Sequence, residues 1–309
     1  MIQGAFDRLD HLGVPYALRK GSRVVDELPA GAEVDVLLDR AVVPDADAAF
    51  RAAGFHHLRT AGAANHRFYV SYEDGRWKMI DIKLAGPGAG RRTGGRTWLA
   101  RHLAAIAALR PLSIKRLGPM VAFLGPDGAG KGTVIAALQD RVPVGLSVVY
   151  LGSRPRRREG GPRRPTERQV GTLRECAFVL YRALHFWKIL AKAYLLAWAG
   201  QVVICDRHPI EVLAIRPRRT RLSVLLEAVV FRHLMPWPDV MVVLHAPGEL
   251  LFARKGEESP HVLERLRGRY IDTFVPRGAT AISTVEPVDR TVAQASAILW
   301  EALKVRRGW

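Results

Sequence analysis

The sequence predicts two α/β modules in tandem, a smaller one followed by a larger one built on a parallel sheet flanked by helices. Three observations predict it. Short β-type runs separated by turns give way near residue 112 to a regular alternation of strands and helices. Within the second part, a Gly-rich turn lies between a wholly apolar strand-like run and a helix-compatible run. Charge is also unevenly divided: 16 basic and 12 acidic residues lie before residue 113 and 31 and 17 after it, so 14 of the 18 net positive charges fall in the second part. The predicted modules span residues 1–112 and 113–309.

With 309 residues, 49% hydrophobic and 25% charged, the chain can bury a full core, which excludes bulk disorder and fibrous repeats. Cys176 and Cys205 are too few for a disulfide scaffold, and no charged-then-apolar leader opens the chain, so a cytoplasmic location is expected. The apolar stretch from Ala193 to Cys205 is too short for a bilayer span, and no transmembrane segment is predicted. A net charge of +18 implies attraction to anions: nucleotides, nucleic acid, lipid headgroups or a phosphorylated substrate.

In the first module, β-type runs occur at Tyr16-Ala-Leu-Arg, Glu33-Val-Asp-Val-Leu-Leu, His66-Arg-Phe-Tyr-Val and Trp77-Lys-Met-Ile-Asp-Ile-Lys-Leu, with a helix from Asp45 to Ala53 between the second and third. A Gly- and Arg-rich loop follows from Ala85 to Gly95, then a helix from Thr97 to Leu109 that stops at Pro111. Period-2 alternation puts Glu33 and Asp35 on one face of their strand, where a neighbouring strand can bring Asp81 beside them. Three converging carboxylates are what two magnesium ions need for in-line nucleotidyl transfer. Gly21-Ser22, then Glu33 and Asp35, then Asp81 on a later strand together resemble the nucleotidyltransferase fold over residues 8–84. Lys20 stands where that family has an apolar residue. Two alternatives stay open: a domain that keeps the fold for binding or packing without transfer, and a chance alternation of acids on an exposed strand.

The second module reads as strand Met120 to Leu124, helix Gly130 to Asp140, strand Leu146 to Leu151, a long amphipathic stretch from Val170 to Ala199, and strand Gln201 to Cys205. Further strands follow at Asp239 to His245 and Ala279 to Val285, with a last helix from Arg290 to Val305. Between the first strand and its helix stands Gly125-Pro-Asp127-Gly128-Ala129-Gly130-Lys131-Gly132-Thr133, in which Gly, four residues and Gly-Lys form the phosphate-loop spacing. Glycines let successive backbone N–H groups turn toward phosphate oxygens, the helix adds its positive N-terminal end, and Lys131 supplies a point charge. Gly132 occupies the position where many such loops carry a magnesium-binding hydroxyl, and Thr133 comes one place later.

Gly-Lys-Gly-Thr resembles adenylate kinases, and Gly-Pro-Asp-Gly-Ala-Gly-Lys resembles thymidylate kinases. Asp206-Arg207-His208, after an apolar strand, is similar to the Asp-Arg-Tyr signature of the thymidylate kinases. The resemblance, over residues 117–305, implies the fold of a nucleoside monophosphate kinase that transfers the γ-phosphoryl group of ATP with Mg2+ to a nucleoside monophosphate. It implies that Asp206 holds magnesium or its water shell and that Arg207 grips the acceptor phosphate. Asp127 matches an acid that contacts the acceptor sugar, and equally suits a turn former. Leu251-Phe-Ala-Arg254-Lys255-Gly-Glu-Glu resembles an Arg-bearing lid, with Arg254 first and Lys255 second as the cation that stabilises the transferring phosphoryl group; a charged helix end is the plainer reading. The family's Leu-Asp is here Leu244-His245.

The acceptor segment departs most from that family, reading Pro209-Ile-Glu-Val-Leu-Ala-Ile-Arg-Pro, so thymine specificity does not carry over. The Arg-rich insertion after the second strand and the Arg254-Lys255-Gly-Glu lid also look like those of kinase-like proteins encoded among bacterial surface-polysaccharide genes, and a sugar or lipid-linked saccharide is the alternative acceptor. A non-catalytic ATP-gated binding protein is the third reading. Arg154, Arg156, Arg157, Arg158, Arg163, Arg164 and Arg168 form a Pro/Gly-punctuated loop, either a solvated loop or an arm for an anionic partner or membrane surface. Cys176 to Trp198 suits a core helix with a polar edge or a membrane-surface helix. A homodimer is left open.

Overall fold

The computed structural model describes residues 2–18, 33–58, 65–85, 118–152, 172–215, 220–256 and 258–309. Gly21-Ser22, the Thr97 to Leu109 helix, the Arg154 to Arg168 loop and the junction at residue 112 lie outside the described residues.

Strands β1 (Tyr16–Leu18), β2 (Glu33–Asp39), β3 (His56–Leu58), β4 (His66–Glu73) and β5 (Arg76–Ala85) form a mixed sheet in the order β1-β2-β5-β4-β3. Within it β2 and β5 are parallel and the other pairs antiparallel. Alternation sends Val34, Val36, Leu38, Ile80, Ile82 and Leu84 to one face, where helices α1 (Ile2–His11) and α2 (Val43–Ala52) bury Phe6, Leu9 and Phe50 against them. Helix α1 was not anticipated, although Ile2, Ala5, Phe6 and Leu9 fall at helical spacing and are its buried residues. The three-residue strand β3 is too short to show a period.

The second sheet is wholly parallel: β6 (Met120–Leu124), β7 (Leu146–Tyr150), β8 (Val202–Asp206), β9 (Val240–His245) and β10 (Thr280–Ser283) in the order β10-β9-β6-β8-β7. Central β6 is buried along its whole length, which is why its sequence is a continuous apolar run rather than an alternating one. Helices α3 (Lys131–Arg141) and α8 (Val288–Arg307) cover one face; α4 (Thr172–Trp198), α5 (Arg221–Val229) and α7 (Pro260–Phe274) lie on the other, with α6 (Gly248–Lys255) following β9. This is the helix-flanked parallel sheet expected from the alternation of strands and helices. Helix α4 buries Val179, Ala183, Phe186, Leu190, Ala193 and Ala197 and exposes Phe178, Tyr181, Trp187 and Trp198, so it is a core helix with an apolar outer face. Among the described residues no helix is long and apolar enough to cross a membrane.

Helix α8 joins the two sheets. Trp300 packs edge-on to Trp77 of β5 with ring centroids 5.5 Å apart, and Tyr72 of β4 donates its hydroxyl to the Ala293 carbonyl at 2.9 Å. His56 stacks on Trp309 at 4.8 Å, which extends the same apolar cluster to the C-terminus. The face of the first sheet that carries Trp77 and Met79 is therefore closed by the second unit.

Candidate active site

Parallel pairing of β6 with β8 sets Phe123 opposite Asp206, so the Gly-rich loop after β6 and the Asp206-Arg207 step after β8 emerge side by side at the carboxyl ends of the strands. Gly125 (φ +139°) and Gly128 (φ +85°) need conformations that favour glycine, and a Cβ on them would lie 2.2 Å from the Leu244 carbonyl oxygen and 2.7 Å from that of Leu251. Gly130 caps α3 in the left-handed region, which places Lys131 at the first helical position. Only 8% exposed, Lys131 donates from Nζ to the carbonyls of Gly125 (2.6 Å) and Pro126 (2.9 Å). Burial lowers its pKa, partly offset by Glu211, Asp127 and Asp206.

Arg207 is at the centre of a charge cluster. Its guanidinium is ion-paired with Asp127 and lies 3.6 Å from Glu211 Oε2, while Lys255 Nζ approaches Asp127 at 3.4 Å. Burial opposes the charge on Arg207, but Glu211 and Asp127 more than compensate and raise its pKa above the ordinary value. Asp127, despite its own burial, is drawn below the usual carboxylate range by Arg207, Lys131 and Lys255. Asp127 thus pairs with two cations, Arg207 and Lys255.

Arg254 lies in the last turn of α6 and donates to the Thr284 carbonyl (2.7 Å), the Thr284 hydroxyl (3.0 Å) and the Gly128 carbonyl (3.4 Å). It thus ties the phosphate loop to the end of β10. Glu257, the next acid of the lid-like segment, lies outside the described residues. Thr133 is exposed on the first turn of α3, and Asp206 is half-buried at the end of β8. A hydroxyl and a carboxylate are hard oxygen donors, which suits a divalent cation that takes its other ligands from water and substrate phosphates. Among the described residues no three His, Cys, Asp or Glu gather as a metal site.

Three residues missed by sequence reasoning complete the site. Glu211, in a 3-10 turn after β8, is buried; its Oε1 accepts from the Gly125 N–H at 3.4 Å. Burial pushes its pKa up to about 7 against the pull of Lys131 and Arg207. Tyr270 of α7 is buried beside it and hydrogen bonds to it. His208 is 2% exposed, accepts from the Ile210 N–H at 3.4 Å through Nδ1, and is held neutral by burial, with its pKa pushed down to about 3. That acceptor leaves the proton on Nε2, which has no hydrogen-bond partner among the described residues. The available signal was a lone carboxylate in the apolar segment Pro209-Ile-Glu-Val-Leu-Ala-Ile.

Beside Arg207 a cavity of about 210 Å³ is lined by Gly152, Arg182, Phe186, Arg207, His208 and Glu211, among others. Arg182 Nη1 pairs with Glu227 at 3.1 Å, and its guanidinium lies 5.6 to 5.9 Å from the ring centroids of Phe178, Phe186 and Phe231.

In the first sheet, Asp35 and Asp81 are directly opposed in the parallel β2–β5 register, as the alternation suggested. Asp81 is 2.9 Å from His66 Nδ1, and the Glu33 side chain lies outside the described residues.

No family model matches the sequence, and no curated protein does. Solved structures that resemble it include a deoxyadenosine kinase from M. mycoides with dCMP and dCDP, at 14% identity and a TM-score of 0.39, covering 59% of this chain and 99% of that one. The same enzyme with dATP gives 14% and 0.37, covering 59% and 98%. A thymidylate kinase from Ehrlichia chaffeensis gives 16% and 0.36, again covering 59% and 98%.

Proposed function

We propose that the chain is an ATP-dependent phosphotransferase that moves the γ-phosphoryl group of ATP to a small acceptor. One observation carries this reading: a Gly-rich loop with two glycines in conformations that favour glycine ends in buried Lys131, beside Asp206 and Arg207 and next to a cavity. The loop amides of Asp127 to Thr133 and the N-terminal end of α3 would hold the donor phosphates, toward which Lys131 turns from the loop carbonyls. Arg254, already bonded to Gly128, would hold the loop in register and face the charge that develops on the phosphoryl group. Magnesium, held by Asp206 and Thr133, would neutralise charge on the donor phosphates.

The cavity beside Arg207 is the acceptor site in this reading, and a nucleoside monophosphate gripped by Arg207 is the simplest acceptor. A sugar or lipid-linked saccharide hydroxyl is the second reading, favoured by the carboxylate of Glu211 in the cavity wall. We assign residues 1–112 and 113–309 to separate modules and the first to the nucleotidyltransferase type, with Asp35 and Asp81 as its opposed acids. A screen with γ-labelled ATP and Mg2+ against nucleoside monophosphates and sugars tests the proposal. Thymidine monophosphate as the best acceptor would exclude the saccharide reading, and ATP binding without turnover for any acceptor would leave only the ATP-gated binding protein.

A further inference from the structure

The acceptor cavity is charge-balanced in an unusual way for a site that would receive a phosphate. Arg207 is shared between Asp127 and Glu211, and Arg182 is engaged by Glu227. A phosphorylated acceptor would meet the Glu211 carboxylate in the wall and would have to draw Arg207 from two anionic partners. A neutral alcohol meets no such opposition. Its hydroxyl finds an acceptor in Glu211, which lines the same cavity.

Glu211 is placed to act on such a hydroxyl. One oxygen reaches the Gly125 N–H at the head of the phosphate loop, and the side chain also lines the cavity, so the carboxylate stands between donor and acceptor sites. We infer that Glu211 is the general base for a charge-neutral, hydroxyl-bearing acceptor, a nucleoside or sugar alcohol rather than a monophosphate; this rests on the phosphotransferase reading above. In the step, the acceptor O–H gives its proton to the Glu211 carboxylate as its oxygen bonds to the γ-phosphorus of ATP. The bond from that phosphorus to the β,γ-bridging oxygen breaks, ADP leaves with the electron pair, and Glu211 then releases the proton to water. The groups facing Glu211 are Lys131 and Asp127 from the loop region, Arg207 and His208 after β8, and Tyr270 of α7, with burial holding its pKa near 7, in the range that suits a base at neutral pH.

The test uses the full chain with γ-labelled ATP and Mg2+, in water alone and with thymidine, thymidine monophosphate, glucose and glucose 6-phosphate as separate probes. Water serves as the minimal hydroxyl, so a rate is read whichever alcohol is accepted. Glu211→Gln, of equal size, should lower phosphoryl transfer about 100-fold or more and remove the rise in rate through pH 7, while ATP affinity changes less than about twofold. Glu211→Asp should restore part of the rate and its pH dependence. Wild-type rates and profile in Glu211→Gln would overturn the inference, as would faster transfer to either monophosphate than to its unphosphorylated partner. ATP consumption absent from the wild type, or unchanged in Lys131→Ala, would instead overturn the phosphotransferase reading.

Discussion

Asp127 and Arg207 are ion-paired across the mouth of the phosphate loop, and Arg207 reaches that pair from the left-handed region of backbone space, at φ +68°. The reversal after β8 turns its side chain back toward the loop. A non-glycine residue there carries strain of about 1 kcal/mol or more. Arg207→Gly is therefore expected to be about 1 kcal/mol more stable than Arg207→Ala in urea unfolding, while both lose transfer. Equal stability of the two variants would show that the backbone stores no strain at this position.

The loop glycines separate by what surrounds them. In Gly125→Ala the new Cβ would sit 2.2 Å from the Leu244 carbonyl oxygen, on backbone that cannot shift cheaply, so a loss of about 2 kcal/mol or more is expected. Gly132 lies inside α3, where an added methyl would meet no atom within 4 Å, and should gain about 0.5 to 1 kcal/mol on change to alanine. Thermal unfolding of the two variants checks both signs.

His208 and Glu211 give stability opposite pH dependences. The His208 pKa falls from 6.5 to about 3 on folding, so its contribution is full above pH 6.5 and is lost as pH falls toward 3. For Glu211 the pKa rises from 4.5 to about 7, so its contribution is full below pH 4.5 and is lost as pH rises through 7. Each slope is about 1.4 kcal/mol per pH unit, and between pH 4.5 and 6.5 they oppose one another. Acidification from about pH 6.5 to 5 should therefore stabilise His208→Asn and destabilise Glu211→Gln, relative to wild type, by about 2 kcal/mol each. Denaturation curves at the two pH values decide it.

Trp300 is 7% exposed and touches Trp77, Tyr72 and His56 of the first sheet and Trp309 at the C-terminus. Trp300→Ala should cost about 3 to 5 kcal/mol and expose Trp77, read as a red shift of its fluorescence at native pH.

The strand–turn–helix placement of the Gly-rich loop and the Asp206-Arg207 step after β8 were legible because their pattern is local: glycine spacing, a lysine at a helix start, and a carboxylate ending an apolar strand. The opposition of Asp35 and Asp81 was legible from period-2 alternation and was realised by the β2–β5 register. Glu211, His208 and Tyr270 were not, because a carboxylate among apolar neighbours looks like a turn residue until the fold brings Gly125, Arg207 and α7 around it. Arg254 was assigned from a lid-like segment, whereas its bonds run to Thr284 and Gly128. Helix α1 was missed despite a legible pattern.

The central claim is that Lys131 and its loop hold the phosphates of ATP for transfer. ATP consumption by Lys131→Ala, measured with Mg2+ beside a circular dichroism spectrum that shows the fold retained, tests it most directly. A fall of about 100-fold or more in a folded variant is expected, from loss of the buried cation that would hold the phosphates. Turnover equal to wild type in that variant would contradict it.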